Sequence, residues 1–213
     1  MINSLSIKCK IYGLIGVMLL LTIAVSAISM SYIWRIKTEL DQIAEYLVPI
    51  TEKLNQISVH ALEQEIALER LFTFFEVKPI PHEKIKRLLV LYSQEGELVK
   101  IEINQTKIIV DNALKRSKTF QEISGFSRLG PILNEIEGRH KTFQVIGLQL
   151  AKSLSKRELT EVYLFENLLV GEKNKLNKLL KKTLEAVKAL TERAVFKAEE
   201  HQGYSLVINW IIA

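Results

Sequence analysis

The sequence predicts an all-α protein, a membrane-anchored antiparallel up-down four-helix bundle whose long helices are continuous with transmembrane spans. Three observations support this fold class. Residues 11–34 form a run of 24 without a charged side chain, and a helix of that length measures about 36 Å, enough to cross a hydrocarbon core of roughly 30 Å. Four segments with apolar residues at helical spacing follow it. Residues 205–213 are again uncharged, and an even number of bundle helices returns the chain to the membrane that it left.

These observations divide the chain into four parts. We expect residues 1–10 to form a short cytoplasmic tail and residues 11–34 to form the first transmembrane helix. Residues 35–204 form the four-helix bundle outside the cytoplasm. Residues 205–213 begin a second transmembrane helix that is truncated, because nine residues reach only about 14 Å as a helix.

A cleaved signal peptide is the alternative for the N-terminal run. Val25-Ser26-Ala27 is a small-residue sequence of the kind that signal peptidase accepts. The run continues past it to Trp34, however, and is longer than the usual apolar region of about 7–15 residues. The uncleaved anchor is therefore the preferred interpretation. Basic residues flank both ends of the run (Lys8 and Lys10, Arg35 and Lys37), so only the short N-terminal tail favours a cytoplasmic N-terminus.

Charge and cysteine content argue against a nucleic-acid-binding protein and against a disulfide-stabilised one. Residues 35–204 contain 27 basic and 24 acidic residues, a net charge of +3. These charges alternate along the helices instead of forming a basic patch, so no nucleic-acid partner is expected. The chain has one cysteine, Cys9, so no internal disulfide can form and packing alone must stabilise the bundle.

The first bundle helix has the clearest pattern. Steps of four and three from Ile36 pass through apolar residues with one exception, Gln64, which is a heptad seam. The seam positions are Leu40, Ile43, Leu47, Ile50, Leu54, Ile57, Ala61, Gln64, Leu68, Leu71 and Phe75. Pro49 removes one backbone hydrogen bond, so a kink is expected between Glu45 and Val48.

The other three helices follow from breaks and renewed periodicity. Two prolines in Val77–His82 end the first helix. A second seam runs from Ile85 to Ala113, and residues 116–130 are predicted to be a loop that ends at Gly130-Pro131, with Pro131 at the first position of the third helix. The fourth helix is expected to begin near Arg157 and to continue without a break past Gly203.

Part of the first bundle helix resembles a known family. Val48-Pro49-Ile50-Thr51, His60-Ala61-Leu62-Glu63-Gln64 and Leu68-Glu69-Arg70 are similar to a recurring pattern in the four-helix-bundle sensory modules of bacterial transmembrane receptors. Methyl-accepting chemotaxis proteins are the best-known members. The resemblance implies the ligand-sensing module of a chemoreceptor or another signal-transduction receptor, in the bacterial inner membrane with the bundle in the periplasm. It also implies that the cytoplasmic output domain of such receptors is lacking from this chain.

Three residues of that helix are the candidate site. His60 and Gln64 are four residues apart and share a helix face, Gln64 lies on the seam, and Arg70 lies near the end of the same segment. One interpretation is a polar layer that binds a ligand. The other is a hydrogen-bonded layer that sets helix register, as polar seam residues do in coiled coils. Pro49 and Thr51 are expected to set the kink geometry.

No catalytic constellation accompanies these residues. Glu137-Gly138-Arg139-His140 has the Glu-x-x-His spacing of di-iron bundles, but those sites need a second such motif, and the sequence has none. Gly-rich phosphate loops, His-Glu-x-x-His and Gly-x-Ser-x-Gly are also absent. We therefore expect no enzyme activity, no metal and no cofactor.

The expected partners are the membrane, a second copy of the chain and an unknown small-molecule or protein ligand. A homodimer is expected because long bundles of this kind commonly pair along the first helix. A membrane-anchored coiled-coil adaptor or assembly protein with no signalling output is the alternative function. Lysines along the fourth helix, between Lys173 and Lys188, are interpreted as either a solvated surface or an attractor of anions.

Overall fold

The computed structural model describes residues 7–76, 82–156 and 158–212, and these are helical almost throughout. The elements are α1 (Ile7–Gln42), a π-helical turn (Ile43–Leu47), α2 (Val48–Glu76), α3 (His82–Arg116), α4 (Phe120–Ser127), α5 (Leu129–Lys156) and α6 (Leu159–Ile212). No strand occurs in these described ranges, and the predicted all-α bundle is confirmed. Residues 77–81 of the predicted break, the predicted helix start at Arg157, the first six residues of the tail and Ala213 lie outside them.

The chain forms two compact units. One unit is the bundle, residues 44–190, made from α2, α3, α4, α5 and the first part of α6. The other unit combines residues 1–43 with residues 191–213.

The seam of α2 is the core of the bundle. Ile50, Leu54 and Ile57 are completely buried, as are Gln64 and Leu71, so the predicted stripe is confirmed through this part of the helix. The seam of α3 is also buried from Ile85 to Ala113, except at Leu89, which is partly buried. Burial of these stripes stabilises the fold, because about 25 cal/mol is gained for each Å² of apolar surface removed from water.

Two side-chain contacts show how α2 and α3 are aligned. Lys53 Nζ lies 2.8 Å from Glu102 Oε2, and His60 Nδ1 lies 2.6 Å from Glu95 Oε2. The two pairs are seven residues apart on each helix and run in opposite directions along the chain. The helices are therefore antiparallel, and the same heptad repeat governs both.

The π-helical turn lies where the sequence predicts a disturbance. Pro49 has no N–H, so the Glu45 carbonyl loses its usual helical donor, and the proline ring would crowd that carbonyl in a regular helix. A π-turn widens the helix at this point and relieves the crowding. Thr51 Oγ1 donates to the Leu47 carbonyl at 2.8 Å, which binds the end of the turn to the first turn of α2.

The prediction of a loop at residues 116–130 is wrong. This segment contains α4, and α5 begins at Leu129. Thr119 and Glu122 form a capping box, in which the Thr119 hydroxyl accepts from the Glu122 N–H and the Glu122 carboxylate accepts from the Thr119 N–H. Pro131 is consequently the third residue of α5, not the first. It is tolerated there because N–H groups of the first helical turn have no intrahelical acceptor.

The second unit pairs α1 with the last part of α6. The rings of Tyr32 and Tyr204 stack with centroids 6.1 Å apart, and His201 lies 6.0 Å from Tyr32. In the described residues, α1 belongs to the one helix that is long and apolar enough to cross a membrane. The predicted continuity of α6 past Gly203 is confirmed, since the helix extends to Ile212. A truncated second span at residues 205–213 stays a prediction.

Candidate functional site

Gln64 joins three helices at the centre of the bundle. Its Nε2 donates to the Tyr92 carbonyl of α3 at 3.0 Å, and its Oε1 lies 2.9 Å from His140 Nε2 of α5. Both Gln64 and His140 are buried. A buried polar group is stable when it is hydrogen-bonded, and these contacts satisfy the amide at both ends.

The hydrogen bonds determine where the proton of His140 lies. A backbone carbonyl can only accept, so the amide nitrogen of Gln64 must face Tyr92 and the amide oxygen must face His140. His140 therefore donates its Nε2–H. Burial lowers the pKa of His140 to about 4, although the charge of Glu97 acts in the opposite direction. The ring is neutral at pH 7, with its proton on Nε2.

Tyr92 links the same layer to the backbone of α5. Its hydroxyl donates to the carbonyl oxygens of Phe143 and Gln144, at 3.1 and 3.3 Å, and burial raises the pKa of the Tyr92 phenol. Two glycines make these approaches possible. A Cβ at Gly96 would lie 2.6 Å from Gln64 Nε2, and a Cβ at Gly147 would lie 2.6 Å from Tyr92 Cζ. We call Gln64, Tyr92, Gly96, His140 and Gln144 the polar layer.

The other predicted site residues lie beside this layer or away from it. His60 is one turn before Gln64 on α2, half-buried, and its partner is Glu95. Arg70 lies on the exposed face of α2. Of the three predicted residues, Gln64 is in the layer, His60 adjoins it, and Arg70 takes no part in the hydrogen bonds described for it.

Charged side chains connect the first part of α6 to α2 and α5. The nearly buried carboxylate of Glu172 accepts from Lys175 at 2.7 Å and from Arg139 at 3.3 Å. The hydrogen bond from Lys175 is the largest influence on the pKa of Glu172 and, together with Arg139, lowers it against the opposing effect of burial. Lys173 pairs with Glu65 of α2. Lys173 therefore links α6 to α2 and Glu172 links it to α5, whereas Lys175 bonds within α6 itself.

The two residues of the Glu-x-x-His motif contact different side chains. The Glu137 carboxylate accepts from Lys107 at 2.5 Å, while His140 donates to Gln64. Among the described residues there is no group of three or more His, Cys, Asp or Glu side chains that could hold a metal ion.

His140 is the functional residue that sequence reasoning did not place. The sequence contains a signal for it, because Leu133, Ile136, His140, Phe143 and Gly147 follow steps of three and four along α5. His140 occupies the one titratable position in that stripe. A histidine on a predicted seam, with a glutamine on the facing seam, indicates a buried interhelical hydrogen bond.

The polar layer fixes the alignment of the helices and is not a reactive centre. Its side chains are uncharged at pH 7, and the hydrogen bonds run from α2 to α3 and α5 and from α3 to α5. A shift of one helix along its axis would separate these partners and leave buried polar groups unpaired, at about 1–3 kcal/mol each. The layer consequently specifies one alignment of the helices.

The fold defines the class of protein: a helical bundle with a long apolar N-terminal helix and a polar layer in its core. Residues 1–94 match the family model TarH, described as the Tar ligand binding domain homologue, the four-helix-bundle sensory module of chemotaxis receptors. The matched range includes α1, α2 and the first part of α3, and it confirms the resemblance found in the sequence. The family is a receptor sensory domain, not a catalytic one. No curated protein and no solved structure shows a significant match to the chain.

Proposed function

We propose that this chain is the ligand-sensing part of a bacterial transmembrane chemoreceptor or signal-transduction receptor. The observation that carries the proposal is the match of residues 1–94 to a family of receptor ligand-binding domains. The geometry of the bundle supports it in three ways, through the polar layer, the uninterrupted course of α6 and the exposed face of α2.

The polar layer supports the proposal because a second packing of the bundle would differ from this one by a finite energy. A ligand shifts a conformational equilibrium only by its difference in affinity for the two states. A packing in which Gln64 loses His140 or Tyr92 is higher in energy by a few hydrogen bonds, a cost of about 1–3 kcal/mol for each unpaired group. A ligand of ordinary affinity supplies an energy of that size.

Continuity of the last helix supports transmission of the signal. α6 is one helix from Leu159 to Ile212, so it runs from Glu172 and Lys173 of the bundle to His201 and Tyr204 of the second unit. A small piston, tilt or rotation of α6 in the bundle would then move its membrane end. An unbroken helix transmits such displacements because its backbone hydrogen bonds resist bending and stretching.

A disulfide-trapping experiment tests the proposal. Tyr32→Cys and Tyr204→Cys are introduced together in a Cys9→Ser background. The melting temperature of the full chain in detergent is then measured with amino acids, organic acids and other polar metabolites, to find a compound that binds. A compound at 100 times its dissociation constant adds about 2.7 kcal/mol of stability, which raises the melting temperature by roughly 5–10 °C. We expect that compound to change the rate of disulfide formation.

Two results would contradict the proposal. A compound that stabilises the bundle without changing the disulfide rate would show binding without transmission. A constant rate over the whole panel, with a stable assembly of the chain with other proteins, would favour a membrane-anchored coiled-coil adaptor instead. The Gln64→Leu variant is the positive control, because it is expected to alter the rate of disulfide formation without any compound.

The outer face of α2 supports a homodimer. Val59 and Leu62 are more than half exposed, and Ile66, four residues further along the same face, is half-buried. Apolar residues at spacings of three and four on a solvent-facing helix are typical of a helix pair. We expect Val59→Cys to form an intermolecular disulfide in membranes, whereas Val90→Cys, similarly exposed on α3, should not. Equal cross-linking at both positions would contradict a specific dimer.

The proposed location of the bundle is the periplasm, with α1 in the inner membrane. Asn174 is exposed in the first third of α6, within the bundle, so Asn174→Cys in the Cys9→Ser background reports on the compartment. An impermeant thiol reagent should label it in cells whose outer membrane has been made permeable and whose inner membrane is intact. Labelling that requires rupture of the inner membrane would place the bundle in the cytoplasm.

A further inference from the structure

The short helix α4 presents an apolar face that the described part of the bundle does not cover. Phe120 is 85% exposed and Ile123 is 44% exposed, and their spacing of three residues puts both on one side of the helix. The anchoring contact of α4 is Phe126, three residues after Ile123, which is buried and meets the ring of Tyr46 edge-on at 6.5 Å between centroids. α4 is thus attached by one aromatic side chain and exposes another.

The exposure of Phe120 does not come from a loosely held segment. The capping box of Thr119 and Glu122 fixes the start of α4 directly before Phe120. Near its other end, a Cβ at Gly125 would lie 2.5 Å from Leu190 Cδ2, so the backbone of α4 packs directly on α6. A large aromatic side chain held outward at a fixed position indicates an interaction surface.

Basic side chains surround this apolar face. Residues 115–128 contain four exposed basic residues, Lys115, Arg116, Lys118 and Arg128, and a single acidic one, Glu122. The carboxylate of Glu122 is used in capping, since it accepts from the backbone N–H of Lys118 at 2.9 Å. A helix with aromatic and aliphatic residues on one face and lysines and arginines around it is typical of a contact with an anionic membrane surface.

Only a short stretch of chain separates Glu45, which Arg116 contacts, from the uncharged run. Arg116 Nη1 donates to Glu45 Oε2 at 2.8 Å, which holds the end of α3 beside the beginning of α2. Glu45 follows Trp34, the last residue of the uncharged run, by 11 residues, or about 16 Å of helix at most. The headgroup layer of one leaflet accounts for roughly 5–8 Å of that distance, and α4 begins four residues beyond Arg116.

We propose that α4 is a membrane-surface contact. Phe120 and Ile123 enter the interface between headgroups and acyl chains, and Lys115, Lys118 and Arg128 lie among the phosphates of anionic phospholipids. The inference rests on the membrane anchoring in the proposed function, but not on the side of the membrane that the bundle occupies.

Lipid quenching of a fluorescent label tests the contact. The full chain in the Cys9→Ser background carries one environment-sensitive label, at Phe120→Cys or at Ile123→Cys, in nanodiscs that contain phosphatidylglycerol with or without brominated acyl chains. Tyr163→Cys, at the far end of the bundle and also highly exposed, is the matched control. Leu20→Cys in α1 reports whether the anchor is inserted.

We expect strong quenching at residue 20, partial quenching with a blue shift of the label's emission at residues 120 and 123, and neither effect at residue 163. Replacement of phosphatidylglycerol by phosphatidylcholine should reduce the blue shift at residues 120 and 123. Quenching at residue 20 with residues 120 and 123 indistinguishable from residue 163 would overturn the inference and leave the anchor intact. A blue shift at residue 120 without lipid quenching would identify a second protein surface as the partner and would also overturn it. Absence of quenching at residue 20 would overturn the proposed anchoring together with the inference.

Discussion

Replacement of Gln64 by leucine is the sharpest test of the polar layer. Leucine has nearly the volume of glutamine, so Gln64→Leu removes the amide without leaving a large cavity. The side chain of Gln64 is completely buried and supplies an acceptor to His140 and a donor to the Tyr92 carbonyl. The substitution therefore leaves a buried His140 N–H without its acceptor, and it removes one of the donors to a buried carbonyl.

The expected cost follows from these two groups. An unpaired buried donor or acceptor costs about 1–3 kcal/mol, and the Tyr92 carbonyl, as part of a helix, retains its helical donor. We expect Gln64→Leu to lower the free energy of unfolding by about 2–4 kcal/mol, of which the unpaired His140 N–H accounts for about 1–3 kcal/mol and the lost hydrogen bond to Tyr92 for about 1 kcal/mol. The corresponding decrease in melting temperature is roughly 4–16 °C for a bundle of this size.

A double-mutant cycle separates the hydrogen bond from other effects. His140→Leu alone leaves the Gln64 amide oxygen unpaired, so it is also expected to destabilise the bundle. The variant with both leucines has no unpaired side-chain group at this position, and it should lose less stability than the sum of the single variants, by at least about 1 kcal/mol.

Urea unfolding of the full chain in detergent, followed by circular dichroism, measures all three variants. Thr106→Val is the matched control, because Thr106 is equally buried on the seam of α3 but its hydroxyl donates only to the Glu102 carbonyl of its own helix. Its cost should stay below about 1 kcal/mol and should add to that of Gln64→Leu. Additive losses for Gln64→Leu and His140→Leu, within about 0.5 kcal/mol, would refute the coupling derived from the structure.

Two further predictions concern the same layer. The pKa of His140 in the folded chain is about 4, below the ordinary value of 6.5, so the unfolded chain binds this proton first, and stability is lost as the pH falls from 6.5 to 4, by about 3 kcal/mol in total. His140→Gln keeps a donor to the layer but has no group that titrates in this range. Its stability should therefore fall less between pH 7 and pH 4 in unfolding experiments, and an unchanged pH dependence would contradict the assignment of this loss to His140. Gly147→Ala places a methyl group against the buried Tyr92 ring and should cost about 1–3 kcal/mol. Gly138→Ala, with no heavy atom within 4 Å of its Cβ, should instead stabilise α5 by up to about 1 kcal/mol, and equal effects of the two alanines on the melting temperature would contradict the packing.

Much of the fold could be predicted from the sequence because helical periodicity is a local property. The seam through Ile50, Leu54 and Ile57 repeats with the period of the helix, and the structure buries these residues. The disturbance before Pro49 was predictable for the same reason, since a proline acts on the carbonyl four residues earlier. The helix α4 was missed because the polar, Gly- and Ser-containing composition of residues 116–130 outweighed the short capping signal of Thr119 and Glu122.

The candidate site was only half predictable. Gln64 was identified because a polar residue interrupts an apolar seam, and that interruption is visible in one helix alone. Its partner His140 is 76 residues away, and the sequence assigned His140 only to a metal motif that the structure divides between Gln64 and Lys107. Arg70 was grouped with Gln64 by closeness in sequence, but their positions on the helix put one side chain in the core and the other in solvent.

The sequence by itself determined the long helices, the apolar N-terminal run and the seams of α2 and α3, because these depend on the spacing of residues along one segment. Only the tertiary structure decided which polar residues of those faces meet. The meeting of Gln64 with His140 and Tyr92 depends on the axial alignment of three helices, and alignment results from the packing of all their side chains together. The outward face of α4 was decided in the same way, since Phe120 is exposed because Phe126 and Gly125 are the residues that fit against the bundle.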